Sequence, residues 1–416
     1  MNRQWAPETR VVHAGSAPAA RPTVDPVYLS TTFLAADPEE LDAILGGRQA
    51  GFSYGRHDNP TLAALAEAVN ELEGGQGAVV YASGMGALLG ALLAVRLQPG
   101  DRLLVSRDVY GATLNLARDL LGTWGIRVVT GDLVDLAAAA ETIRREHPRA
   151  VLFEILTNPL MRVVDGPAVA ALAREAGAAV VVDNTFTTPL MTRPLEWGAD
   201  LVVHSATKYL GGHGDALGGV VVAGPGPWLE RLRHDIRLTG AVPGPMEAWL
   251  LLRGLRTLAL RFPRQCASAA YVAGALAAEG RPVRVFHPVL ARGPEAERVA
   301  RLFPAGLAGA AVSLDLGVDT AGVYEFLRRL RLILPGTTVG DIYSLCLYPK
   351  MASHRSLTVE ERQALGIGDG LVRISVGIED PEDILADIRA ALPAGSGTAR
   401  ETGDGGAVRG GAASNG

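Results

Sequence analysis

Lysine is nearly absent from this chain. Of its 39 basic residues only Lys208 and Lys350 are lysines. Arginine can serve solubility and phosphate binding, but its guanidinium keeps its proton in proteins and cannot act as an amine nucleophile. Lys350, in LYPKMASH, reads as a surface charge. Lys208 has a more specific setting, DLVVHSATKYLGGHGD (200–215). A strand is predicted to end near His204, with Ser205, Thr207 and Lys208 at its C-terminal edge, where open α/β sheets bind ligands. A lysine there can form an imine with an aldehyde while the two hydroxyls bond a phosphate. Once released, the same amine is a base.

Four other segments offer matching chemistry. Asp183 ends the apolar run of VVVDNTFTTP (180–189), so its carboxylate is placed at the same sheet edge. An anion there could keep the ring nitrogen of a pyridoxal cofactor protonated and so maintain an electron sink. In YASGMGALLG (81–90) a strand runs through a small-residue turn into a helix whose first amides, at Gly84 and Met85, make an anion site. The glycines fall at 84, 86 and 90 with no acidic residue ending a following strand, which weakens a dinucleotide-dependent oxidoreductase reading. In YGRHDNPT (54–61), Tyr54 and Arg56 supply a hydroxyl and a bidentate cation suited to phosphate, in a segment able to reach a neighbouring subunit. Tyr110, in DVYGAT, could stack on a pyridine ring. Arg373 interrupts the apolar strand of GLVRISVGIED, where a buried guanidinium calls for an anion: a ligand carboxylate, or else Glu379 or Asp380.

The elements that must position these residues follow from the apolar pattern. Residues 1–60 are turn-rich and read as an arm lying on a neighbouring subunit. Residues 61–255 form an α/β domain, in which short β-branched runs at 77–81, 102–106, 126–130, 150–155, 178–183, 201–204 and 218–223 alternate with Ala/Leu-rich helices. Such runs fit strands buried on both faces of a mostly parallel sheet. A helix over 246–260 bridges to a smaller α+β domain at 256–394, with strands at 311–316 and 371–376. The Gly/Ala/Ser-rich stretch 395–416 reads as a disordered tail.

Composition narrows the class. The net charge of −5 carries no basic block, which excludes the usual footprint of a nucleic-acid binder. Cys266 and Cys346, far apart and without histidine partners at metal spacing, exclude a disulfide scaffold and a zinc finger, and no metal is expected. No apolar run approaches membrane-spanning length, so a cytoplasmic protein without membrane partners is expected.

Taken together the segments resemble the Cys/Met metabolism family of pyridoxal-phosphate enzymes, which includes cystathionine γ-synthase, cystathionine γ-lyase, methionine γ-lyase and the homoserine sulfhydrylases. The resemblance runs from about Thr9 (TRVVHAG) to Leu392 and carries SGMGA, EILTNP, LLLRGLRTL and LVRISVGIEDPEDI beside the segments above, in the family's order. It implies the aminotransferase type I fold, an α/β fold with a mostly parallel seven-stranded sheet, usually as a homotetramer of two active dimers. It implies pyridoxal 5'-phosphate on Lys208, with Asp183 at the ring nitrogen and Tyr110 stacked on the ring and assisting the γ leaving group. Gly84, Met85, Ser205 and Thr207 would hold the phosphate, joined by Tyr54 and Arg56 from the adjacent subunit. Asn158 would sit beside the phenolic oxygen, and Arg373 with Ser344 would bind the substrate α-carboxylate. The implied activity is γ-elimination or γ-replacement on a homoserine-derived or sulfur amino acid, with cystathionine γ-lyase or γ-synthase chemistry favoured. Sulfhydrylation of an acylhomoserine, or replacement with another nucleophile, is the alternative. Three departures bear on substrate. Ala112 stands where methionine γ-lyases carry cysteine, and Arg237 where they carry a Lys-Asp pair. Tyr343 stands where a glutamate often meets the distal amino group of cystathionine.

Overall fold

The computed structural model describes residues 5–13, 22–280 and 284–393; the expected tail at 395–416 lies outside these. The seven apolar runs form strands β1 (Gly77–Tyr81), β2 (Arg102–Ser106), β3 (Arg127–Gly131), β4 (Ala150–Glu154), β5 (Ala179–Asp183), β6 (Leu201–His204) and β7 (Gly219–Ala223). They make one sheet in the order β1-β7-β6-β5-β4-β2-β3. Strands β6, β5, β4, β2 and β3 run parallel, and β7 is antiparallel to both its neighbours. Consecutive valines at 180, 181 and 182 are all fully buried. Val180 and Val182 face the core shared with the Pro60–Glu73 helix, while Val181 faces the one shared with the Gly84–Val95 helix. Cover on both faces explains why these strands read as continuous apolar runs rather than alternating ones.

The helices begin where side chains satisfy their first amides. Asn59 Oδ1 accepts from Thr61 N at 2.9 Å, and Ser83 Oγ accepts from Gly86 N at 3.0 Å. These two caps start the helices that follow the 54–61 segment and β1.

The smaller sheet contains β8 (Arg284–Phe286), β9 (Ala311–Asp315), β10 (Leu334–Pro335), β11 (Leu345–Leu347) and β12 (Leu371–Ser375), in the order β10-β11-β12-β9-β8. Arg373 lies mid-strand in β12, opposite Leu347 and Ser313.

Two elements differ from the sequence reading. The predicted 246–260 helix is two helices, Pro245–Leu255 and Leu258–Ala278. Gly254 is pressed so close to Gly211 that a Cβ on it would stand 1.9 Å from the Gly211 carbonyl oxygen. The Gly254 carbonyl freed at the break accepts instead from Thr257 Oγ1 at 3.0 Å and Arg261 Nη2 at 2.8 Å. The second helix joins the two cores, placing Leu258, Phe262 and Cys266 in the large-sheet core and Val272, Ala273 and Leu276 in the small-sheet core. Within 1–60, described parts are helical at Pro7–His13 and Pro38–Leu45. Arg10 Nη1 ties the first of these to the Glu71 carbonyl at 3.0 Å.

Candidate active site

Parallel strands leave their C-terminal ends on one edge, and here three of those ends are ionisable: Glu154 on β4, Asp183 on β5 and His204 on β6. Glu154 and Asp183 are directly paired in the register. A cavity of about 220 Å³ opens at this edge. Gly84, Met85, Ser205 and Thr207 line one part of it, and Asp183, Lys208 and Tyr110 another. Arg373 and Asn158 close it from the small-sheet side.

The cavity's polar groups are organised by short-range bonds. Thr185 Oγ1 donates to Asp183 Oδ1 at 2.5 Å and accepts from Ser205 N at 2.9 Å, so one hydroxyl joins the ends of β5 and β6. Thr185 N also donates to Asp183 Oδ1 at 3.0 Å. Thr207 Oγ1 accepts from Gly218 N at 3.0 Å, which orients the loop carrying Lys208. Lys208 Nζ donates to Thr338 Oγ1 at 2.8 Å. A Cβ on Gly84 would meet Ser205 Cβ and Oγ at 2.6 Å, so the helix N-terminus can approach Ser205 only with glycine there. By helix geometry the first amides, of Gly84 and Met85, have no acceptor within that helix.

The small-sheet wall is set by Arg373, which is buried. Its Nη1 donates to Asn158 Oδ1 at 2.7 Å and its guanidinium lies over the Phe186 ring at 5.7 Å. Glu379, the alternative partner, is engaged elsewhere: it accepts from Ser344 N at 2.6 Å and Ser344 Oγ at 2.9 Å. Arg373 Nε is buried with no hydrogen-bond partner among the described residues.

Burial and neighbouring charge tune these groups. Burial, then the Arg373 charge, holds the Lys208 amine below the usual lysine range, against a smaller opposing effect of Asp341. Burial pushes Asp183 up, while its bonds from Thr185 and the nearby His204 act the other way. Burial also lowers Arg373 to about 10.

Not every expected residue reaches the cavity. Tyr54 and Arg56 do not line it: Tyr54 is exposed, and the Arg56 guanidinium stacks on its ring at 5.6 Å and donates to the Arg237 carbonyl. Ser344 is buried behind the wall, its hydroxyl held by Glu379 and by Gly377 N at 3.0 Å. Tyr343 is 57% exposed and lies outside the lining. Lys350 pairs with Asp369 Oδ1 at 2.7 Å, as suits a surface charge.

Four residues that the sequence reading did not single out belong to the site or its support. Thr185 and Thr338 bind Asp183 and Lys208 directly. Glu154 lines the cavity; its Oε1 accepts from Tyr110 N at 2.6 Å, while Oε2 is buried and unpartnered. Glu73, at the end of the Pro60–Glu73 helix, supports the edge from the other face of the sheet. Its Oε1 accepts from Asn184 Nδ2 at 2.7 Å and lies 2.6 Å from His204 Nε2. A polar residue closing an apolar strand run is the signal that could have flagged Glu154, as it flagged Asp183; nothing local marks Glu73.

These residues suit pyridoxal phosphate. An amine of depressed basicity, a carboxylate at a neighbouring strand end, two hydroxyls beside free helix amides and an aromatic at the rim converge on one cavity, which leaves two buried polar atoms without protein partners. Among the described residues no cluster of metal-ligating side chains occurs, and no helix is long and apolar enough to cross a membrane.

Residues 8–393 match the family described as Cys/Met metabolism PLP-dependent enzyme. An L-methionine gamma-lyase from Pseudomonas putida is 41% identical over 392 residues, covering 93% of this chain and 97% of that protein. A cystathionine gamma-lyase from Bacillus subtilis is 38% identical, covering 83% of this chain and 90% of that one. The crystal structure of cystathionine gamma synthase from Xanthomonas oryzae pv. oryzae in complex with cystathionine superposes with a TM-score of 0.86 at 38% identity, covering 93% of this chain and 98% of that one. The fold is therefore the aminotransferase type I fold, the cofactor is pyridoxal phosphate, and the chain belongs to the Cys/Met metabolism family of PLP-dependent enzymes.

Proposed function

We propose that this enzyme carries out γ-elimination or γ-replacement on a homoserine-derived or sulfur-containing amino acid, the chemistry of transsulfuration. The observation that carries the reading is Lys208: its amine, of depressed basicity, shares one cavity with Asp183, Tyr110 and Arg373. Pyridoxal phosphate, when bound, supplies an electron sink for charge developing at the substrate Cα.

The chain's own residues do the rest. Gly84, Met85, Ser205 and Thr207 hold the cofactor phosphate with amides and hydroxyls, and Asp183 supplies the charge opposite the ring nitrogen. Arg373 takes the substrate α-carboxylate through charge-assisted bonds, with Asn158 holding the guanidinium in place. Ser344 can share that carboxylate only by exchanging its bond to Glu379. Lys208, resting on Thr338, is the base for the Cα and Cβ protons; burial keeps a larger fraction of the amine unprotonated near neutral pH than an exposed lysine would have. Tyr110 assists departure of the γ-substituent, a role supported by its position, 41% exposed, in the cavity lining. Tyr54 and Arg56, outside their own chain's cavity, serve the phosphate of an adjacent subunit in a homotetramer acting in the cytoplasm.

Product analysis by mass spectrometry tests the reading. Purified holoenzyme is given L-cystathionine alone, then acyl-homoserines with and without cysteine. Cysteine and 2-oxobutanoate from cystathionine establish the lyase reaction and show that Tyr343 accepts the distal amine. Cystathionine formed only from an acyl-homoserine and cysteine establishes the synthase. No product from any of these, with the cofactor bound, overturns the cystathionine and acyl-homoserine readings.

A further inference from the structure

Two carboxylates stand side by side in the cavity. Glu154 and Asp183 end adjacent parallel strands and are paired in register, and both line the same space. Like charges so close in a dry pocket do not both stay ionised, and the proton goes to whichever carboxylate the protein supports less. Asp183 has the better support: one hydroxyl and one amide bond its Oδ1, and His204 lies near. Glu154 receives a single amide, from Tyr110 at 2.6 Å, and its Oε2 is buried without a partner. Other charges do not reverse this balance. Asp108 adds to the repulsion, although it is itself paired with Arg162 and lies 3.7 Å from Arg107. Among the described residues Arg373 is the cation whose charge opposes this, and its Nη1 is committed to Asn158.

We propose that Glu154 stands in the cavity as a neutral carboxylic acid, with Oε1 fixing the Tyr110 backbone and protonated Oε2 serving as a hydrogen-bond donor to the bound cofactor. The second clause rests on the cofactor reading of the cavity; the first does not. An unpartnered ionised oxygen would be costly at this depth, whereas an acid is a neutral donor awaiting an acceptor. Burial, then the Asp183 charge, raises the Glu154 carboxyl well above the usual range, in keeping with this assignment. Glu154 thereby becomes a positioning residue for Tyr110 and a binding residue for the cofactor.

Infrared difference spectra of wild type against Glu154→Gln test this at neutral pH, first on apoprotein. The expected result is a carbonyl stretch of a protonated carboxylic acid that is present in wild type, moves on transfer to deuterium oxide and is lost in the variant. If the variant loses only a carboxylate band, the proposal is overturned. Should Gln fail to fold there, Glu154→Leu assigns the band in the same way. Adding pyridoxal phosphate is expected to shift the carbonyl band; a band that does not move while the visible cofactor absorbance appears overturns the donor role. Protein that gives the apo band but never binds the cofactor overturns the cofactor reading instead. In holoprotein, Gln preserves a neutral donor, so the pH dependence of the visible band is expected to stay within a few tenths of a unit of wild type. A displacement of about one unit or more means that a charge was removed, and contradicts the neutral acid.

Discussion

Glu73 joins the two strand ends that carry the site, and its removal has a calculable cost. Its Oε1 serves Asn184 at 2.7 Å and His204 at 2.6 Å, and all three residues are fully buried. Asn184 follows Asp183 directly and His204 precedes Ser205, so one carboxylate holds β5 and β6 together behind the cavity. Glu73→Gln preserves size and keeps one oxygen for both partners, but turns the buried Oε2, which has no partner among the described residues, into an NH2 with no acceptor. A buried polar group left unsatisfied costs roughly 1–3 kcal/mol. The expected loss of stability is therefore about 2 kcal/mol. Urea unfolding followed by tryptophan fluorescence measures it, with Glu71→Gln as control. Glu71 lies two residues away on the same helix, is partly exposed and stands 3.9 Å from Arg10, a contact worth less than about 1 kcal/mol. Cofactor affinity should fall in Glu73→Gln and not in the control. A Glu73→Gln protein within about 0.5 kcal/mol of wild type would refute the idea that this carboxylate joins the strands.

Other perturbations separate the site's parts. In apoprotein near pH 8, burial and Arg373 keep the Lys208 amine below the usual lysine range while Asp369 raises Lys350, so an amine-reactive reagent should label Lys208 first; peptide mapping reads the order, and it should persist as pH falls until both amines are protonated. Gly84→Ala brings a Cβ to 2.6 Å from Ser205 and should weaken cofactor binding at least about tenfold, whereas Gly274→Ala, with nothing within 4 Å, should leave it unchanged and add roughly 0.5–1 kcal/mol of helix stability; cofactor titration and thermal melts check the pair. Arg373→Leu removes bonds to a carboxylate worth about 1.5–3 kcal/mol, so KM should rise roughly 10- to 150-fold with kcat little changed. Its stability should fall by roughly 1–3 kcal/mol, because Asn158 Oδ1 is left buried without the Nη1 donor.

The large sheet was legible in the sequence because cover on both faces demands unbroken apolar runs, and each such run became a strand to within a residue or two. Asp183 and Lys208 were legible for the same reason, since polar residues just past an apolar run must lie at the sheet edge. Glu154 obeys that rule as well, since it closes the apolar run of β4. The break at 256–257 was not legible, because no Gly or Pro stands at Arg256 or Thr257 to mark it. Glu73 looks like an ordinary solvent-facing helix end until the fold brings His204 and Asn184 to it. Strands of two or three residues, such as Leu334–Pro335 and Leu345–Leu347, carry too little pattern to stand out.

The central claim is that Lys208 holds the cofactor and does the proton chemistry. Borohydride reduction of the holoenzyme followed by peptide mass spectrometry tests it most directly. The account predicts loss of the visible absorbance and a reduced pyridoxyl adduct on the peptide containing Lys208, with Lys350 unmodified and no adduct in Lys208→Ala. An adduct confined to Lys350, or absorbance that survives reduction with Lys208 unmodified, would contradict it.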